Sequence, residues 1–305
     1  MTSTPRLQGI LSPVLTPFTN TLEPDVNNYI EHCRWLIDSG VGLAVFGTNS
    51  EANSLSVMER LDLLRALLDA GIPPEKMMPG TGCCALPDTV ELTAAATKAG
   101  CAGVLMLPPF YYKGVSDDGL FRSYSEVIQR VGDPRLRIYL YHIPPVAQVP
   151  LGLGLIERLI KEYPGTIAGI KDSSGDWGNT EALLHNFQSE TFDVFCGSEV
   201  FLLRTLRGGG AGSITATGNV NPAAIVNLYD TWQDAVAEEK QVELAATRKT
   251  FEIMPMIASM KACIAWKRNK PAWRNVRPPL MNATEEKAAE LAGALNARGF
   301  TMPGL

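Results

Sequence analysis

The fold of this chain is indicated first by the stretch Ile167-Ala168-Gly169-Ile170-Lys171, followed by Asp172-Ser173-Ser174-Gly175. A short apolar run that ends in a charged residue and then in small polar residues is typical of a buried β-strand leading into a loop. Similar runs rich in Val, Ile and Leu recur along the first two thirds of the chain. They are residues 10–15, 43–46, 77–80, 103–107, 136–141, 192–196 and 212–216.

The segments between these runs have helical periodicity. Residues 59–68 place leucines on one stripe, with Ser56 as the expected N-cap and Gly71 as the stop. Residues 88–99 end in the same way at Gly100. Strands that alternate with helices form a parallel sheet, and eight such units close into a barrel.

The chain beyond Pro222 shows no further strand pattern, only helical segments such as residues 230–254 and 284–297. We therefore predict an α/β fold, a (β/α)8 TIM barrel over residues 1–224. A C-terminal helical extension over residues 225–305 is expected to pack on it. No low-complexity linker separates the two parts, which predicts one cooperative unit.

Composition excludes several classes of protein. Of 305 residues, 46% are hydrophobic and 19% charged, which is typical of a globular chain and not of a disordered one. The net charge of −5 and the absence of a basic cluster argue against nucleic acid and membrane partners. The six cysteines and three histidines form no metal-binding pattern, so we expect no metal and no cofactor. Without a signal sequence or a long apolar run, the sequence predicts a soluble, cytoplasmic protein.

Lys171 is the sharpest chemical feature of the sequence. Catalytic side chains in barrels of this kind come from the C-terminal ends of strands, and Lys171 closes a buried one. Desolvation favours the neutral amine, which is the form that attacks a carbonyl to give a Schiff base. Spacing alone favours instead a lysine that extends to solvent or pairs with Asp172.

Two other strand ends carry candidate groups. Tyr141 ends the strand before that of Lys171, close enough for its phenol to transfer protons, although a core aromatic gives the same pattern. The loop Thr48-Asn49-Ser50 offers hydroxyls and backbone N–H groups suited to a substrate carboxylate, or else it is an ordinary turn with an N-cap. The glycine-rich residues 208–212 precede their strand, so they favour a tight turn over a phosphate site.

The ordered set of motifs resembles the dihydrodipicolinate synthase and N-acetylneuraminate lyase family over essentially the whole chain. The motifs are Gly47-Thr48-Asn49-Ser50-Glu51, Tyr111-Tyr112, Tyr141-His142-Ile143-Pro144, Gly169 to Asp176, and Arg277-Pro278-Pro279-Leu280. The resemblance implies a (β/α)8 barrel with a C-terminal helical extension, usually a tetramer of two tight dimers. It also implies metal-free class I aldolase chemistry on pyruvate or a related 2-oxo acid.

The resemblance further implies a role for each matching residue. Lys171 corresponds to the Schiff-base lysine and Tyr141 to the proton-transfer tyrosine. Thr48 corresponds to the threonine that links Tyr141 to a second tyrosine, Tyr112, which family members insert into the neighbouring subunit's site. The backbone carbonyl of Ile214 is expected to line the site.

The chain departs from the family pattern at two points that concern substrate choice, the loop after Thr48 and Val146. Asn49 and Ser50 stand where the family usually has Thr or Ser followed by Gly, which changes the grip on the 2-oxo acid. Val146 stands where dihydrodipicolinate synthases carry an arginine for the second substrate's carboxylate, and valine cannot hold a carboxylate. Glu199 resembles the acidic position that sialate lyases use for sugar hydroxyls. His142 replaces a common asparagine, and strand alternation predicts a structural role for it.

These residues predict a Schiff-base lyase, an aldolase or dehydratase, acting on a 2-oxo acid outside lysine biosynthesis. One alternative is a 4-hydroxy-tetrahydrodipicolinate synthase that condenses pyruvate with aspartate semialdehyde. A second is a non-catalytic 2-oxo acid binding or regulatory barrel, and a third is a phosphate-handling barrel isomerase. The expected partners are a small-molecule 2-oxo acid and three further copies of the chain, in a homotetramer.

Overall fold

The computed structural model describes residues 6–305. Its strands are β1 (Gly9–Ser12), β2 (Gly42–Leu43), β3 (Val104–Met106), β4 (Ile138–His142), β5 (Ile167–Asp172), β6 (Asp193–Cys196) and β7 (Gly212–Ile214). Its α-helices are α1 (Val26–Asp38), α2 (Val57–Asp69), α3 (Leu86–Ala99), α4 (Asp117–Val131), α5 (Pro144–Ala147), α6 (Leu153–Glu162), α7 (Trp177–Phe187), α8 (Leu202–Arg207), α9 (Pro222–Asp230), α10 (Ala237–Phe251), α11 (Met256–Arg268) and α12 (Glu285–Ala297).

The strands form a parallel sheet in the order β2-β1-β7-β6-β5-β4-β3, with helices in the connections. Parallel neighbours require crossover connections, and the amphipathic segments supply them. After β7, the described chain is helical to its end. The predicted fold class, a (β/α)8 barrel with a C-terminal helical extension, is confirmed.

One predicted strand does not form a ladder. Residues 6–305 contain seven strands, and residues 77–80 make only a parallel bridge between Gly80 and Leu105. Thr81 N–H donates to the Leu105 carbonyl at 3.1 Å, and Leu105 N–H to the Pro79 carbonyl at 2.8 Å. Pro79 has no N–H to continue the ladder, so the pairing stops after one step.

The chain divides into two compact units, one of which comprises residues 6–9 and 73–214. This unit contains strands β3 to β7, and the buried Tyr139 side chain of β4 packs against the strands beside it. A Cβ placed on Gly169 or Gly103 would lie 2.5 or 2.7 Å from the Tyr139 ring, so only glycine leaves room for it. The Tyr139 hydroxyl donates to the buried Asp193 carboxylate at 3.4 Å, and Arg6 forms an ion pair with Asp193 at 3.3 Å.

The other unit comprises residues 10–72 and 215–305. Strands β1 and β2 pair in parallel, with Leu11 opposite Gly42. The buried amide of Asn219 organises this unit: it accepts from Leu15 N–H at 2.9 Å and lies 3.2 Å from the ring of the buried His32. The boundary predicted after residue 224 separates the barrel from the helical extension, which is a different division from the one into compact units. It stays a prediction.

Helix ends follow the predicted caps. Ser56 and Glu59 form a reciprocal capping box at the start of α2, and Gly100 ends α3 with a φ of 85°. The predicted helix over residues 230–254 is wrong as one element, because a turn separates α9 from α10. Thr231 closes that turn: its hydroxyl donates to the Asn227 carbonyl at 2.5 Å, and its own carbonyl accepts from Asp234 N–H at 3.0 Å.

Candidate active site

Lys171 and Tyr141 are direct neighbours on paired strands. They are opposite each other in the register of β5 and β4, so their side chains project from the same face. The Lys171 ammonium nitrogen lies 4.1 Å from the centre of the Tyr141 ring, and each residue is 2% exposed. The buried Phe195 is opposite Lys171 on β6. Lys171 therefore has an aromatic residue opposite it on each neighbouring strand, near the carboxyl end of β5.

The next register pair, His142 and Asp172, projects from the opposite face. The Asp172 carboxylate accepts from the Thr180 hydroxyl at 2.6 Å and from Ser174 N–H at 3.0 Å. Alternation and these bonds argue against the pairing of Lys171 with Asp172 that the sequence left open. His142 Nδ1 accepts from Leu151 N–H at 3.1 Å, and burial lowers the pKa of His142 while Asp172 opposes the shift. A neutral, hydrogen-bonded His142 fits the structural role predicted for it.

Glu199 and Ile214 lie near the ends of β6 and β7, which are neighbouring strands of the same unit. Glu199 begins a 3-10 helix, Glu199–Phe201, directly after β6, and it is buried. Ile214 is the last residue of β7 and is fully buried. Both residues lie at or just after the carboxyl ends of parallel strands, and their predicted contact with a substrate stays a prediction.

Val146 and Tyr112 are exposed instead. Val146 lies in α5 and is 60% exposed, and Tyr112 lies in the loop between β3 and α4 and is 73% exposed. The edge of one ring of the pair Tyr111 and Tyr112 meets the face of the other, with ring centres 5.3 Å apart. Two large aromatic side chains therefore form an exposed apolar patch in this loop.

Lys113 is a residue near these loops that sequence reasoning missed. Its ammonium donates to the Ala147 carbonyl at 2.8 Å and to the Phe110 carbonyl. It thereby joins the loop that carries Tyr112 to α5, one residue from Val146. Nothing in the sequence distinguishes this loop lysine from a solvated one, so only the fold reveals the contact.

Thr48 and Asn49 belong to the other compact unit, in a closed turn after β2. Ser50 N–H donates to the Gly47 carbonyl at 3.1 Å, and Gly47 N–H donates to the Ser50 hydroxyl at 3.0 Å. Glu51 N–H donates to the Thr48 carbonyl at 3.1 Å. These hydrogen bonds close the turn on itself and use the N–H groups of Ser50 and Glu51. The predicted grip of Thr48 and Asn49 on a substrate carboxylate stays a prediction.

Within residues 6–305, no three His, Cys, Asp or Glu side chains converge as metal ligands would, and all six cysteines are free thiols. None of the helices in the described part of the chain combines the length and apolar composition needed to cross a bilayer.

Comparison with known proteins places the chain in a family. The model of the dihydrodipicolinate synthetase family matches residues 6–298. An uncharacterized DapA-like lyase of Chloroflexus aurantiacus is 32% identical over 94% of this chain and 95% of its own. YagE of Escherichia coli, a putative 2-dehydro-3-deoxy-D-gluconate aldolase, is 30% identical over 93% of this chain and 94% of its own.

Solved structures agree with the sequence comparison. Dihydrodipicolinate synthase from Agrobacterium tumefaciens superposes with a TM-score of 0.86 at 30% identity, covering 95% of this chain and 99% of that one. The crystal structure of YagE in complex with pyruvate superposes with a TM-score of 0.87 at 28% identity, covering 97% and 99%.

Proposed function

We propose that this chain, which belongs to the dihydrodipicolinate synthetase family, forms a Schiff base between Lys171 and the keto carbon of pyruvate or a related 2-oxo acid. The chain is a lyase of the class I aldolase type, as the family and its named relatives are. The observation that carries the proposal is the buried neighbourhood of the Lys171 amine and the Tyr141 ring.

The first step is the attack of the neutral Lys171 amine on the keto carbon of the substrate. The carbinolamine that results loses water, and the carbon–nitrogen double bond takes up a proton to become an iminium ion. That ion accepts the electron pair of the carbon–carbon bond that breaks in aldol cleavage, which gives an enamine and an aldehyde. Protonation of the enamine carbon and hydrolysis then release pyruvate and the free amine.

Tyr141 is the group we assign to the proton transfers. Its phenol gives a proton to the departing hydroxyl of the carbinolamine and takes one from the substrate hydroxyl during cleavage. Thr48 and Tyr112 are proposed to relay that proton, Tyr112 from a neighbouring subunit. Thr48 and Asn49 in the closed turn are proposed to hold the carboxylate end of the substrate. The Ile214 carbonyl is proposed to line the site near Lys171.

Glu199 and Val146 set the choice of the aldehyde half. The Glu199 carboxylate accepts hydrogen bonds from hydroxyl groups, and Val146 offers no charge to a second carboxylate. This combination favours a hydroxylated 2-oxo acid over condensation with aspartate semialdehyde. The relative YagE is named as a putative aldolase of a sugar-derived 2-oxo acid, which is a substrate of this kind.

We propose a homotetramer in the cytoplasm as the working form. The exposed pair Tyr111 and Tyr112 supports the assembly, since a partner subunit would cover both rings. The free thiols of all six cysteines support a reducing compartment.

Borohydride trapping tests the proposal. The purified protein is incubated with pyruvate and with a panel of 2-oxo acids, reduced, and measured by intact mass. We expect one reduced adduct per chain, lost in Lys171→Ala and retained in Lys161→Ala, which removes an exposed lysine on α6. An adduct that persists in Lys171→Ala, or none with any 2-oxo acid, refutes the mechanism and favours a binding protein.

A further inference from the structure

A buried network of charges holds the turn that carries Thr48 and Asn49. The Glu51 carboxylate, which directly follows this turn, is fully buried and forms an ion pair with the fully buried Lys261 ammonium of α11. Its other oxygen accepts from Arg277 N–H at 2.9 Å. Lys261 also donates to the Asn275 carbonyl at 2.7 Å and lies 4.5 Å from the centre of the Phe18 ring.

The Arg277 side chain holds the far end of the same loop. Its guanidinium donates to the carbonyls of Ser54 at 2.7 Å and Leu22 at 2.9 Å. It also forms an ion pair with Glu59, the capping-box residue of α2, at 2.5 Å. The loop from Glu51 to Ser54 is therefore held at both ends by cations from the C-terminal part of the chain.

The arrangement is costly for a purely structural element. A buried ion pair is often no more stabilising than apolar residues of the same volume, because both charges lose their hydration. Glu51 also has a φ of 57°, a left-handed conformation that a residue with a side chain adopts only under constraint. Burial lowers the pKa of Lys261 to about 8, while Glu51 opposes the shift, so the amine is mostly charged at neutral pH.

We infer that Lys261 is a positioning residue: through Glu51, whose N–H binds the Thr48 carbonyl, it sets the backbone that grips the substrate carboxylate. The inference rests on the role proposed for Thr48 and Asn49. It gives α11 a part in substrate binding although Lys261 itself touches no reacting atom. Arg277 acts with it, by fixing the second Glu51 oxygen and the end of the loop.

Steady-state kinetics of Lys261→Met test this role. We expect the KM for the 2-oxo acid to rise about tenfold while kcat falls much less, because the loop contributes binding and not proton transfer. The matched control is Arg268→Met on the same helix, which removes a cation that pairs with Glu31 and not with the loop. We expect it to lower the melting temperature and to leave KM unchanged.

A second variant covers the case in which Lys261→Met does not fold. Glu51→Gln combined with Lys261→Met removes both buried charges and leaves an acceptor for Arg277 N–H, so stability is expected to recover. KM should stay raised, and hydrogen exchange of residues 47–55 should be faster than in wild type. Unchanged KM and exchange in this variant, or an equal rise of KM in Arg268→Met, overturns the inference.

Borohydride trapping separates this inference from the proposed function. If wild type gives no Lys171 adduct, the proposed function itself fails. If the adduct forms but KM does not depend on Lys261, the function stands and only the positioning role is refuted.

Discussion

At the scale of single residues, adjacent positions on β5 serve opposite purposes. Lys171 shares a face with Tyr141, whereas Asp172 points the other way and binds Thr180 and Ser174. The sequence left a pairing of Lys171 with Asp172 open, and strand alternation is the physical reason why the two side chains separate. The contact between the Lys171 amine and the Tyr141 ring also followed from adjacent strands, but the aromatic residue on the other side, Phe195, did not.

Loss of the Tyr141 hydroxyl should slow turnover without preventing adduct formation. We expect Tyr141→Phe to lower kcat by about 10²- to 10⁴-fold, the usual contribution of a positioned acid or base. Tyr124→Phe is the control, because it removes another buried phenol of the same unit that lies 3.4 Å from the Met106 carbonyl. Steady-state rates of Tyr141→Phe equal to those of wild type would remove Tyr141 from the mechanism.

Aspartate semialdehyde should be a poor partner of the pyruvyl enzyme. Its carboxylate needs a fixed cation, and a charge-assisted hydrogen bond contributes about 1.5 to 3 kcal/mol. We expect kcat/KM for the condensation to lie well below about 10⁴ M⁻¹s⁻¹ and to rise in Val146→Arg. Val242→Arg, at another exposed valine, should change nothing. A wild-type value typical of an enzyme on its own substrate would show that the chain is a synthase.

At the scale of elements, prediction succeeded where local chemistry decides the outcome. Ser56 begins α2 as its N-cap and Gly100 ends α3, both as predicted. Prediction failed at residues 77–80, where the effect of Pro79 depends on the partner strand. The pair of Lys261 and Glu51 was also missed, since 210 positions separate the two residues and neither shows a local pattern.

The glycine at the centre of β5 is required by packing. A methyl group on Gly169 would meet the Tyr139 ring and the Asp193 carbonyl, both at 2.5 Å. We expect Gly169→Ala to lower the free energy of unfolding by about 1 to 3 kcal/mol in urea, as overpacking does. Gly154→Ala, in α6 with no atom within 4 Å of the new methyl group, should be neutral or stabilising. Equal stability of the two variants would contradict this packing.

At the scale of the whole molecule, buried neutral imidazoles make the fold sensitive to acid. Burial lowers the pKa of His32 from 6.5 to about 3, and His142 shifts in the same direction. Between about pH 3 and pH 6.5, His32 binds a proton in the unfolded chain but not in the folded protein. The stabilising contribution is therefore complete above pH 6.5 and is lost as the pH falls through that window.

Chemical denaturation between pH 7 and 4 measures this loss. We expect His32 to contribute a decrease of about 1.4 kcal/mol in the free energy of unfolding for each pH unit below its unfolded value. His32→Gln should flatten that slope, whereas His185→Gln, at an exposed position, should leave it unchanged. A slope that is the same in His32→Gln and wild type would assign the acid sensitivity to other groups.

The packed layer around Tyr139 limits the depth of the candidate active site. Tyr139 lies two residues before Tyr141 on the same face of β4, and its ring fills the space that Gly103 and Gly169 leave open. In the Schiff base proposed for Lys171, this ring lies on the inner side of the substrate, so we expect the further carbons of a longer 2-oxo acid to extend outward from the carboxyl ends of the strands. We therefore expect loops at that end, such as the one around α5, to set the length of the substrate.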